Sequence, residues 1–107
     1  MRGESLLTKG IIMYRNVVIE TYQNTSGGSK HSIRARPVAG QGFPTTMRVE
    51  CSSAMREKYP IGTIFLVRAK IKDTEQQAHL YTSWQWAFRV LSAVDALEII
   101  SSNVKIN

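Results

Sequence analysis

A chain of 107 residues, 43% hydrophobic and 21% charged, makes one domain with its own core, which excludes a multidomain enzyme and a disordered segment. Its single cysteine excludes an internal disulfide framework and a cysteine-rich zinc site, and no run approaches the ~20 apolar residues of a membrane-spanning helix. With +6 net charge and no signal-peptide pattern at the start, the expectation is a cytoplasmic basic domain that needs no cofactor and meets no membrane.

In chain order, residues 1–9 read as a flexible N-terminal arm and residues 10–107 as a single β-rich domain. Ile11 to Tyr22, rich in Ile, Val and Tyr, predicts a strand. Its blurred alternation suggests a twist or bulge near Arg15 and Asn16. Asn24 to Ser29 is a Gly- and Ser-rich turn. His31 to Val38 alternates cleanly, with Ile33 and Ala35 on one face and Arg34 and Arg36 on the other, and Pro37 marks its end or an edge. A loop, Ala39 to Pro44, leads to a strand over Thr45 to Cys51. Its Gly40 and Gly42 lack the spacing and terminal Lys of a phosphate loop, so a hairpin connection is the reading preferred.

Ser53 is placed to cap a short helix over Ala54 to Tyr59, stopped by Pro60 and Gly62. Thr63 to Lys72 is the most legible strand, with Phe65, Val67, Ala69 and Ile71 as an apolar row and Arg68, Lys70 and Lys72 as a basic one. A polar turn, Asp73 to Ala78, precedes a long strand over Leu80 to Leu91. Leu80, Trp84, Trp86, Phe88 and Val90 would face inward, and Tyr81 and Arg89 outward. Ser92 and Asp95 have capping-box spacing for a helix over Ala93 to Ile100, with Val94, Leu97 and Ile100 turned in. Residues 101–107 read as a strand or a tail. The pattern is mainly β: a small five-stranded barrel or strongly bent antiparallel sheet, OB-like or SH3-like, with one or two short helices.

The basic excess is concentrated. Between Lys30 and Lys72 lie nine Lys or Arg and only Glu50 and Glu57, a local net charge of +7. Cationic rows two residues apart track a phosphate backbone, and aromatic rings between them offer stacking surfaces for unpaired bases. The expected nucleic-acid-binding residues are Arg34, Arg36, Arg48, Arg68, Lys70, Lys72 and Arg89, with Tyr81 and Tyr22 for stacking and Trp84 behind them. Phe88 and at least one of Trp84 and Trp86 are expected in the core. The competing reading is a solvated face whose charges protect strand edges.

Elsewhere the chemistry is sparse. His31 and His79 lack metal-ligand spacing, Cys51 sits in an apolar row and reads as an inert thiol, and Asp73 and Glu75 fall in a turn. The chain therefore reads as a non-catalytic module for single-stranded DNA or RNA. Two other classes stay open. One is an inhibitor-type protein that binds an acidic partner. The other is a small metal-independent ribonuclease, with His31 or Glu50 as base and an arginine stabilising the phosphorane. Ile64 and Leu66, apolar on an otherwise basic face, mark either a contact between copies of the chain or a second packed layer.

Overall fold

The computed structural model describes residues 14–24, 33–73, 78–83 and 85–106. In chain order the elements are β1 (Arg15–Gln23), β2 (Ile33–Pro37), β3 (Val49–Glu50), helix α1 (Ser53–Glu57), β4 (Ile64–Asp73), β5 (Ala78–Tyr81), β6 (Phe88–Leu91) and helix α2 (Ala93–Ile106). Strands neighbour one another in the order β1-β2-β3-β5-β4, and β4 pairs back onto β1 to close a five-stranded barrel. β6 pairs with β4 along the same edge as β5, in line with it, opposite Ile64 to Val67. Every ladder is antiparallel except β3 with β5, so the barrel is mixed. Because β4 returns beside β1 after three consecutive antiparallel strands, the order is a Greek key. A five-stranded Greek-key barrel is the OB arrangement within the expected OB/SH3-like class.

The blurred alternation of β1 has a different cause from the bulge anticipated at Arg15 and Asn16. The β1–β4 ladder runs unbroken from Arg15 opposite Ala69 to Glu20 opposite Ile64. Val17, Val18 and Ile19 are all fully buried because both faces of the strand are covered. Val17 and Ile19 point into the barrel with Ala35, Val49, Met55, Phe65, Val67, Ala69 and Leu80. Val18 points outward into a second cluster with Leu91, Ala96 and Ile100, against which Ile64 and Leu66 pack. Val18 on the outer face of β1 and the first half of the β4 outer face thus lie under α2, and Ile64 and Leu66 belong to a second layer. Each fully buried aliphatic or Phe side chain is worth about 1.5–3 kcal/mol. Of the β4 apolar row, Ile71 alone is exposed, beyond the point where the ladder to β1 ends.

The strand expected over 80–91 is two strands. β5 pairs with β4 through Tyr81 opposite Lys70, and β6 through Phe88 opposite Val67. Residues 82–87 therefore span what Arg68 and Ala69 span on the opposing strand, so the chain loops out. Trp86 closes that excursion with its N–H on Ser83 O at 3.0 Å. Trp84 lies outside the described residues. Phe88 keeps an edge-to-face contact with Phe65 at 5.5 Å between centroids but is 38% exposed, rather than a buried core residue. Val90 is likewise exposed.

Three shorter corrections concern ends and faces. The strand expected over Thr45–Cys51 is only two residues long, because a turn bonding Met47 N–H to Pro44 O occupies its first half. Ser52, not Ser53, caps α1, its hydroxyl accepting from Met55 N–H at 3.2 Å, and the helix ends at Glu57. Ser92 caps α2 as its spacing predicts, accepting from Asp95 N–H at 3.0 Å, but the helix continues to Ile106. Its inward residues are Ala96 and Ile100, while Val94 and Leu97 are 63% and 65% exposed. The small Ala96 side chain lets the helix approach the sheet closely, and that rotation turns Val94 and Leu97 to solvent. The turn expected at Asn24–Ser29, residues 74–77 of the polar turn, and His31 lie outside the described residues, apart from Asn24 itself.

The Gly40–Gly42 loop serves the fold. Gly40 has φ +98° and an added Cβ would stand 3.0 Å from Ile100 Cγ2, so the loop passes close under α2. Between the glycines, Gln41 accepts from Val18 N–H with Oε1 and donates through Nε2 to Val18 O and Val38 O, each at 2.8 Å. The side-chain amide stands in for a neighbouring strand at a fully buried residue. Gln41→Leu leaves Val18 N–H unsatisfied, with an expected loss of about 1–3 kcal/mol in urea denaturation. On α2, Ala96→Leu should cost about 1–3 kcal/mol by overpacking, whereas Leu97→Gln should stay within about 0.5 kcal/mol. The opposite ranking would contradict the helix rotation.

Candidate nucleic-acid interface

Only the first half of the β4 outer face is covered, so Arg68, Lys70 and Lys72 emerge where α2 no longer lies on the strand. The ladders extend this basic row around the barrel. Tyr81 stands opposite Lys70 and also beside Glu50, while His79 stands opposite Lys72. Ala35 opposite Val49 joins β2 to β3, and the inward pair leaves Arg34 and Arg36 on one side and Arg48 on the other facing outward. Tyr22 opposite Arg34 and Glu20 opposite Arg36 return the row to β1. Eight of the nine residues expected from the sequence are thus on, or in the case of Arg48 next to, the five barrel strands and face outward, and Arg34, Arg48, Lys70, Lys72, Tyr22 and Tyr81 form a belt with Glu50 set into it beside Tyr81.

Rings and cations are interleaved along it. Lys72 Nζ lies 4.3 Å from the Tyr81 ring centroid, Lys70 Nζ 5.4 Å from that of Tyr14, and Arg36 Cζ 4.5 Å from that of Tyr22. Each such contact contributes about 0.5–1 kcal/mol at an exposed site and orients the long side chain. Arg36 also donates to the Glu20 carboxylate at 2.9 Å, so part of its charge is already answered. Trp86, carried out of the core by the 82–87 excursion, meets Tyr14 and Tyr81 edge-to-face at 4.9 and 5.8 Å between centroids. Tyr14, Trp86 and Tyr81 make a three-ring cluster flanked by two lysines.

Arg89 stands apart from the belt. It is exposed on β6, opposite Leu66, and with Arg68, Asn16 and Phe88 it lines a shallow groove of about 220 Å³. Trp86, one of two tryptophans of which at least one was expected in the core, lies outside any strand: period-two spacing put it in one, and nothing local marks the looped-out segment.

A larger cleft opens at the opposite end of the belt. The β2–β3 ladder holds one residue pair, and beyond it Tyr22, Ile33, Arg34, Thr46, Arg48, Glu50, Cys51 and Arg56 line a space of about 490 Å³. Arg56, from α1, donates to Ile33 O at 3.1 Å and so caps a β2 carbonyl that β3 does not reach. His79 Nε2 and Glu50 Oε1 are 3.1 Å apart, with the histidine side chain 5% exposed and the carboxylate 49%. Glu50 was expected in a site only as the base of the ribonuclease alternative; Arg56, and the pairing of Glu50 with His79, were not expected, since these contacts join residues more than twenty apart in the chain.

Burial pushes the Cys51 thiol above its ordinary pKa, opposed in part by the charge and hydrogen bond of Arg56. Among the described residues no three His, Cys, Asp or Glu side chains form a group able to hold a metal ion, and no helix is long and apolar enough to cross a membrane. Compared with protein-family models, curated proteins and solved structures, the chain finds no match.

A raised thiol pKa means less thiolate at any given pH, because burial favours the neutral form. Alkylation of native Cys51 by iodoacetamide should therefore rise at higher pH than in the urea-unfolded chain, and be slower at pH 8. Equal rate–pH midpoints would contradict that environment.

Proposed function

We propose that the protein binds single-stranded DNA or RNA, without catalysing a reaction on it, across the outer faces of β1, β2, β3, β5 and β4. The observation that carries this reading is the register that brings Arg34, Arg48, Lys70 and Lys72 onto one belt with Tyr22 and Tyr81 between them. Phosphates supply most of the affinity in such complexes, and rings supply sequence-tolerant stacking. OB-type barrels bind oligonucleotides over the face of their second and third strands, where Arg34, Arg36 and Arg48 lie here. Trp86 joins the expected stacking residues through its contacts with Tyr14 and Tyr81.

The test is fluorescence anisotropy with labelled single-stranded DNA, single-stranded RNA and duplex DNA over a salt series. Saturable binding to single strands that weakens steeply with salt is the expected result. Lys70→Ala should weaken binding to every sequence and make the salt slope shallower by about one unit. Absence of binding at low salt would reject the reading and direct attention to acidic protein partners. Defined cleavage of labelled RNA in EDTA would reject its non-catalytic part.

A further inference from the structure

Glu50 is out of place on a phosphate track. It stands among Arg34, Arg48 and Arg56 in the cleft between β2 and β3, and a phosphate passing there would be repelled by its carboxylate. The buried His79 holds Oε1 at 3.1 Å while half of the glutamate side chain remains exposed. A carboxylate fixed by a buried partner and surrounded by guanidinium groups is an acceptor presented to a ligand that carries hydrogen-bond donors next to acceptors. Phosphate carries none of these donors at neutral pH, whereas an unpaired nucleobase does.

The bases differ in what they offer. Guanine presents two adjacent donors, N1–H and the N2 amino group, which a carboxylate accepts together, and its O6 and N7 accept from arginine. Adenine and cytosine each present one amino group, and uracil or thymine one imino N–H. The cleft of about 490 Å³ lies within the range of small-molecule pockets, and Tyr22 and the arginine planes are stacking surfaces along its walls.

We infer that this cleft is a selective pocket for an unpaired guanine, with the Glu50 carboxylate reading its Watson–Crick donors and His79 positioning that carboxylate. The inference rests on the reading of the outer face as a single-strand track, and it adds base selectivity at one point of it.

The chain's single cysteine lines the same cleft, so occupancy is reported directly by the rate at which Cys51 is alkylated. In the wild-type protein, GMP should slow Cys51 alkylation several-fold more than UMP, CMP or AMP at equal concentration. In anisotropy, an oligothymidine carrying one central dG should bind several-fold more tightly than oligothymidine alone. Glu50→Gln, verified as folded by its melting curve, should abolish that preference and bind plain oligothymidine at least as well as wild type. Equal affinity for all oligomers, equal protection by all four nucleotides, or a preference that survives in Glu50→Gln overturns the guanine pocket and leaves the track standing. Failure of every oligomer to bind overturns the track itself. The alkylation measurement uses only the wild-type chain, so it decides the matter even if the variant does not fold.

Discussion

Pairing of β4 with β1 is the constraint on which the rest of the molecule depends. It turns an open sheet into a ring, so that the barrel strands share one interior filled by Phe65, Ile19, Leu80, Val17 and Val67. It also fixes what happens outside. At ten residues β4 is longer than its ladder with β1, and the three segments it pairs with meet different stretches of it. The stretch shared with β1 and β6 carries Ile64 and Leu66 and must be covered, which α2 does through Ala96 and Ile100. The stretch shared with β5 carries Lys70 and Lys72 and must not be.

That division makes the outer surface two-sided in character. One part is a second small core, sealed by the Gly40–Gly42 loop with Gln41 occupying the backbone groups of Val18. The other is a belt where Lys70 and Lys72 rest against the rings of Tyr14 and Tyr81. Pairing through rings has a physical consequence: a lysine over a tyrosine keeps its full charge and most of its hydration, so it stays available to an anion. Arg36, bonded to Glu20, is the contrasting case on the same belt. The 82–87 excursion completes the arrangement, because a continuous strand would have kept Trp86 out of reach of Tyr14 and Tyr81.

Legibility from sequence followed the physics of each segment. β2 and β4 alternate between one wet and one buried face, so period two revealed both their existence and their direction, including the outward placement of Arg34, Arg36, Lys70 and Lys72. β1 was blurred because Val18 is buried by a helix nearly eighty residues away in the chain. The segment 80–91 was misread because alternation persists across 82–87 even though the backbone there leaves the ladder. α2 was found by its Ser92 cap, a local interaction, but its inward face was not, since Ala96 is chosen by proximity to the sheet and Val94 and Leu97 merely look apolar.

The amino-acid sequence by itself determined a basic, mostly-β domain, its two well-alternating strands, the cap of its last helix and the stretch of chain in which its cations are concentrated. These depend on composition and on contacts within a few residues. Tertiary structure alone decided that Arg34, Arg48, Lys70 and Lys72 share the outer side of the barrel while Arg89 stands apart, that Trp86 meets Tyr14 and Tyr81, and that Glu50, bonded to His79, lines one cleft with Arg48 and Arg56. Each of those outcomes depends on strand order and register, in which a shift of one residue exchanges the inner and outer faces of a strand, and no local pattern records which neighbour a strand will choose.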